Sequence, residues 1–174
     1  MSESDDGRPP RTLEGAQLHA LLPHRAPFLF VDRVEMWRAT PKAQLRASFH
    51  VPPEHPLLAG HFPEDPIWPE SLTGEGLAQA CNLLGALVQR QAVASSASPS
   101  ATNPSEPTGP LRGLLAEFDL RFNAVVRPGD TLSYFVRLEL ESPTLSRFRV
   151  EAYVGAQTVA HGRVGAHHLP APAS

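Results

Sequence analysis

Between residues 60 and 80 the chain reads GHFPEDPIWPESLTGEGLAQA, and two of its side chains are suited to moving protons. His61 sits in a stretch stiffened by proline, and Glu75 follows fourteen residues later on a segment with helical spacing. Acid–base chemistry needs a base that titrates near working pH and an acid kept protonated by its surroundings. A histidine and a carboxyl held on separate rigid elements meet that need. Taken singly, each has an ordinary reading: a loop histidine is commonly solvated, and a polar residue on a buried helix commonly makes a structural hydrogen bond. The elements that position the pair therefore matter.

Residues 52–69 contain six prolines, at 52, 53, 56, 63, 66 and 69. Such a segment forms neither helix nor central strand, yet each ring fixes a backbone torsion, so the loop can be rigid. Pro69 suits the first turn of a helix, which is expected to run to about Gln91. Leu72, Gly76, Ala80, Leu83, Leu84, Leu87 and Val88 form its apolar stripe. Ala, Gly and Leu cover much of the remaining circumference, so burial on most sides is expected. Glu75, Gln79 and Asn82 lie at i, i+4 and i+7 and form one polar line. Such a line must find hydrogen-bond partners if it is buried.

Around this centre, LEGAQLHALL (13–22) reads as a short helix stopped by Pro23. FLFVDRVEMW (28–37) and KAQLRASFHV (42–51) read as paired strands with a turn at Thr40-Pro41. Four further strands are expected at 111–122, 131–141, 145–154 and 157–169. Their turns fall at Arg127-Pro128-Gly129-Asp130, Ser142-Pro143 and Gly155-Ala156. Two strands, one long helix and four strands make an α+β layer of antiparallel strands around a single helix. Residues 11–169 are expected to form one domain, with tails at 1–10 and 170–174 and a mobile Ala/Ser/Pro-rich insertion at 93–110.

With 174 residues the chain has the length of one domain. Fifteen basic and 18 acidic residues leave a net charge of −3, which lends nothing to nucleic-acid binding. Lys42 is the sole lysine; a bias towards arginine codons explains this more simply than arginines chosen to grip an anion. Cys81 is the only cysteine, so no intrachain disulfide and no cysteine pair with zinc spacing exists. No apolar run approaches the roughly 18 to 20 residues of a membrane span. The first ten residues lack the basic start and apolar middle of a signal peptide, so a cytoplasmic protein is expected.

G-H-F-P-x-x-P-x-x-P from Gly60 to Pro69, followed by E-x-L-A-Q-A from Glu75, resembles the active-site signature of the β-hydroxyacyl-[acyl-carrier-protein] dehydratases. Leu22 to Arg33 (LPHRAPFLFVDR) resembles the amino-terminal P-H-R-x-P-F-L-x-V-D-R of that family. Arg121-Phe122 with Arg127-Pro128-Gly129-Asp130 resembles its R-F followed by V-x-P-G-D. The blocks stand in family order. The resemblance implies a hotdog fold, in which an antiparallel sheet wraps one long central helix. It also implies a homodimer, alone or within a larger assembly, in which His61 of one chain faces Glu75 of the other. The implied substrate is a β-hydroxyacyl thioester carried on the phosphopantetheine of acyl carrier protein, in fatty-acid synthesis or a related lipid or polyketide assembly. His61 would take the α proton and Glu75 would protonate the departing hydroxyl, giving a trans-2-enoyl thioester and water with no metal or redox cofactor. Unpaired N–H groups of Glu70 and Ser71 at the helix start would stabilise the thioester oxygen. Phe62, Ile67, Trp68 and Leu72 would wall the acyl tail, and Gln79, on the polar line, joins the substrate-binding set.

The chain departs from the family pattern at Glu70, where the family carries glycine and so lets a thioester approach the backbone closely. A carboxylate suits a helix N-terminus, but it also stands where an enolate-like transition state gathers charge. Thr73 and Gly74 replace larger apolar residues, and Trp68 replaces methionine, which together imply a reshaped pocket, a different acyl substrate or poor binding of acyl thioesters. Two other readings compete: a hotdog acyl-thioesterase and a non-catalytic acyl-binding subunit. The intact histidine loop favours dehydration over the first, and retention of both His61 and Glu75 favours it over the second. Glutamate at 75, where dehydratase–isomerases carry aspartate, gives no expectation of isomerisation.

Overall fold

A computed structural model describes residues 12–96 and 113–168. The described residues open with β1 (Leu13–Glu14) and α1 (Ala16–His19), then run through β2 (Arg33–Arg38) and β3 (Gln44–His50). A 3-10 turn at Pro56–Leu58 precedes the long helix α2 (Glu70–Ser96). Strands β4 (Gly113–Phe122), β5 (Thr131–Glu141), β6 (Leu145–Val154) and β7 (Gln157–His168) complete it. All pairings are antiparallel, in one seven-stranded sheet of order β1-β2-β3-β5-β6-β7-β4. The sheet lies against α2, which touches β3, β4, β5, β6 and β7. This is the expected hotdog arrangement.

Alternation explains the layer. In β5, Leu132, Tyr134 and Val136 are buried while Phe135 and Arg137 are exposed. In β6, Phe148, Val150 and Ala152 are buried, as the period of two requires for a sheet with one covered face. Leu77, Ala80, Cys81, Leu83, Leu84 and Leu87 of α2 fill the space beneath. Gly76 allows the closest approach between the layers: a Cβ there would overlap the Tyr134 hydroxyl and crowd the Phe30 carbonyl. No described helix is long and apolar enough to cross a membrane.

Three expected elements differ. The helix expected over 13–22 is a two-residue strand paired with β2, then Gly15 at φ +53°, then a single turn of helix. Gly15 accepts the left-handed torsion that separates the two. The strand expected from Phe28 begins only at Arg33, because the main chain at 28 and 30 bonds to a side chain of α2 rather than to a neighbouring strand. α2 runs past Gln91 to Ser96, since Ala92, Val93 and Ala94 offer no stop. The rest of the expected 93–110 insertion, and both expected tails, lie outside the described residues.

Candidate active site

The loop carrying His61 is fixed at both ends and in its middle. Val51 N–H donates to Asp130 O at 2.9 Å and Gly129 N–H returns to Val51 O at 2.8 Å. At the far end Trp68 N–H donates to Val126 O at 2.8 Å, beside an isolated bridge between the two residues. Arg127 Nη1 donates to Asp65 Oδ1 at 2.6 Å, and the guanidinium holds the Asp65 carboxyl below its ordinary range. Prolines supply no N–H, so the few donors present decide the loop's path.

His61 is held by its own backbone and ring. Its N–H donates to Leu58 O at 3.0 Å, and its carbonyl accepts from Ile67 N–H at 2.8 Å. Its ring Nδ1 lies 3.0 Å from the Ile67 carbonyl. A carbonyl only accepts, so Nδ1 carries the proton and donates. In the neutral ring Nε2 is then the bare nitrogen, able to receive a proton. The Phe62 ring stacks on His61, with centroids 4.4 Å apart, and is itself exposed.

Helix α2 begins immediately after this loop. The Pro69 carbonyl accepts from Leu72 N–H at 3.0 Å and from Thr73 N–H at 3.3 Å. The N–H groups of Glu70 and Ser71 have no acceptor among the described residues, as expected of a helix start. Both residues are exposed, and the Glu70 carboxylate complements the positive end of the helix dipole.

Glu75 is half-buried, with its side chain 28% exposed. Its Oε1 accepts from Gln79 Nε2 at 3.0 Å and lies 3.6 Å from His24 Nε2. Gln79 is fully buried and fully engaged. Its Oε1 accepts from Phe30 N–H at 2.9 Å, and its Nε2 also donates to Phe28 O at 3.1 Å. Both amide hydrogens are thereby committed within the chain. Gln79, expected among the substrate-binding residues, instead fastens the 28–30 segment to the helix and steadies Glu75.

The other expected residues divide. Leu72 is partly buried and packs on the core, and Ile67 is half-buried. Trp68, expected on the wall of an acyl site, is 1% exposed and belongs to the core. Its ring packs edge-on against Phe30 at 5.5 Å and His55 at 5.0 Å, and tilts against Phe49 at 5.5 Å. Two further histidines, His24 and His55, stand beside these residues and have no role in the sequence reading. His55 is buried, its Nδ1 accepting from Leu57 N–H and its Nε2 donating to Pro27 O at 3.1 Å, so it joins the loop to the 24–30 segment. His24 faces Glu75; the available signal was its place within the block from Leu22 to Arg33. Within one chain, His61 bonds to its own loop, Glu75 bonds to Gln79 of α2 and lies near His24, and no hydrogen bond joins His61 to Glu75.

Residues 22–163 match the model of the FabA-like domain. A 3-hydroxyacyl-[acyl-carrier-protein] dehydratase FabZ of Actinobacillus pleuropneumoniae is 32% identical over 157 residues, 90% of this chain and 92% of that protein. The protein of the same name from Idiomarina loihiensis is 36% identical over 134 residues, 77% of this chain and 79% of the relative. Among solved structures, a chain of the dehydratase heterocomplex ApeI:P from Xenorhabdus doucetiae superposes with a TM-score of 0.66 at 17% identity, covering 88% of this chain and 91% of that one. The match to the domain model over most of the length, and the level of identity to the curated relatives, establish that the chain belongs to the FabA-like family of 3-hydroxyacyl-[acyl-carrier-protein] dehydratases.

Proposed function

We infer that this chain dehydrates a β-hydroxyacyl thioester, carried on the phosphopantetheine of acyl carrier protein, to the trans-2-enoyl thioester. The observation that carries the mechanism is the 3.0 Å contact from His61 Nδ1 to the Ile67 carbonyl. It leaves Nε2 as the nitrogen that removes the α proton. The electron pair of the broken C–H bond becomes the new π bond as the β C–O bond breaks. Glu75, protonated at the start, gives its proton to the departing hydroxyl, which leaves as water. The imidazolium and carboxylate then return to their starting states by net transfer of one proton. The thioester oxygen gains charge as the α proton leaves, and the free N–H groups of Glu70 and Ser71 are suited to receive it. The Glu70 side chain is exposed, so it need not fill that space.

The acting unit in this reading is a homodimer in the cytoplasm, serving fatty-acid synthesis or a related lipid or polyketide assembly. The separate anchoring of His61 and Glu75 within one chain supports pairing across two chains. So does β4, which ends the sheet next to β7. Along it Leu114, Leu115, Phe118 and Phe122 are exposed at 56, 55, 44 and 40%. Apolar side chains along an edge unpaired among the described residues favour a second strand, and a two-fold axis would set β4 of one protomer against β4 of its partner.

The test is an assay of the parent, His61→Ala and Glu75→Gln on a short β-hydroxyacyl thioester, following enoyl absorbance and free thiol together. Enoyl formation that falls by roughly 10²- to 10⁴-fold in each variant is expected of a lost acid or base. Thiol release without enoyl would replace this reading with hydrolysis. No turnover by a folded dimer, on free and carrier-bound substrates of several chain lengths, would leave an acyl-binding subunit.

A further inference from the structure

The segment before β2 brings a second histidine to Glu75. His24 Nε2 lies 3.6 Å from Glu75 Oε1, with the two side chains 25% and 28% exposed. The other ring nitrogen, Nδ1, is buried and has no hydrogen-bond partner among the described residues. The turn that carries His24 is clamped from within. Arg25 Nη1 donates to Leu22 O at 2.8 Å and His24 O at 2.7 Å, while Nη2 donates to His19 O at 3.1 Å. The guanidinium thus holds backbone and fixes where the histidine stands.

A proton on His24 Nδ1 would be a buried donor without an acceptor, which is costly. The tautomer protonated at Nε2 avoids this and presents the donor to Glu75. Gln79 Nε2 already donates to the same oxygen at 3.0 Å. Two donors then converge on Oε1. A protonated carboxyl cannot carry its hydrogen on an oxygen that faces two others. We propose that His24 is a positioning residue which, with Gln79, occupies Oε1 of Glu75 and confines the acid proton to Oε2.

This rests on the acid role assigned to Glu75 above. At 3.6 Å the His24 contact is electrostatic, and closing it by roughly 0.5 Å makes it a hydrogen bond. Both contacts strengthen as the reaction proceeds. When Oε2 releases its proton the carboxyl becomes an anion, and hydrogen bonds to an anion are about twice as strong as neutral ones. Stabilisation that grows towards the transition state speeds the chemical step rather than substrate binding. His24 should therefore act on kcat and leave KM nearly untouched.

The experiment compares the parent, His24→Phe and His24→Gln, with Glu75→Gln as spectroscopic reference. His24→Phe keeps a planar ring and removes the donor, whereas His24→Gln restores an N–H donor. Two quantities are read: kcat and KM for dehydration, and the C=O stretch of the Glu75 carboxyl in infrared difference spectra, which needs no turnover. For His24→Phe, a fall in kcat of about tenfold to a hundredfold with KM within about twofold is expected. The C=O stretch should rise in frequency as the carbonyl oxygen loses a donor, and His24→Gln should recover much of both. The proposal is overturned if His24→Phe keeps kcat within about twofold, or if both variants lose activity alike with the stretch unmoved. Were the parent itself inactive, the dehydratase reading would fall, while the stretch would still decide for or against the positioning role.

Discussion

Replacing Gln79 with methionine keeps the side chain's length, unbranched shape and helix propensity. It deletes three hydrogen bonds at once, to Phe30 N–H, Phe28 O and Glu75 Oε1. The largest loss falls on Phe30, which is fully buried; its N–H would become an unpaired interior donor, worth about 1–3 kcal/mol. Phe28 is exposed and Glu75 half-buried, so water can replace those two bonds, at about 0.5–1 kcal/mol each. The sum, about 2–5 kcal/mol, is a large share of the roughly 5–15 kcal/mol that holds an ordinary domain folded. Urea unfolding at one fixed protein concentration measures it, because any association would make stability depend on concentration. A loss under about 0.5 kcal/mol with an unchanged denaturant slope would refute the claim that this amide ties the 28–30 segment to α2. Gln79→Glu separates the roles: it keeps an acceptor for Phe30 but turns a carboxylate oxygen towards Phe28 O and Glu75. Its damage should shrink on acidification, as the introduced carboxyl regains a hydrogen to donate.

Two neighbouring glycines should behave oppositely. Gly76→Ala drives a methyl into the Tyr134 hydroxyl, in a side chain with no exposure, and should cost about 1–3 kcal/mol in thermal or urea unfolding. Gly74→Ala meets first the Phe118 ring and then the tip of Leu120; Phe118 is 44% exposed and can turn aside, so the gain in helix propensity should hold the change within about 1 kcal/mol of zero. Cys81 is buried and burial pushes its thiol well above the ordinary range, so a thiol reagent should label it only as fast as the chain opens. Fast stoichiometric labelling of the native protein would place Cys81 outside the core.

The sequence is most informative where one physical rule acts alone. β5 and β6 were expected at 131–141 and 145–154 and occupy those residues, because strict alternation between turn signals admits one register. The polar line of α2 is real: Glu75 and Gln79 meet at 3.0 Å, as i, i+4 spacing demands. What the line bonds to was not legible, because Phe28 and Phe30 lie 51 and 49 residues away in the chain. The same tertiary bonds explain the late start of β2. FLFVD has strand composition, but a buried glutamine takes its backbone groups. Trp68 shows the limit of reading a motif position by residue size alone. An indole beside a catalytic loop suits an acyl wall as well as a core, and only the positions of Phe30, Phe49 and His55 decide for the core.

The chemistry proposed here divides unequally between the elements. Glu70, Ser71 and Glu75 all stand on the first turns of α2. Glu75 stands four residues, about one turn, beyond Ser71 on the same side of the helix. The acid and the donors for the thioester oxygen therefore share one rigid body, and their separation is set by helix geometry. The base does not share it. His61 is held by the carbonyls of Leu58 and Ile67 in a loop whose anchors are Val126, Arg127 and Asp130, on the far side of β4 in the chain. A site that needs both must bring a loop to a helix with ångström accuracy. Association of two chains along β4 would do so, since the segment that follows β4 also receives the ends of the His61 loop. Disrupting that edge, for example with Phe118→Arg, should then abolish dehydration while leaving the His61 and Glu75 side chains intact.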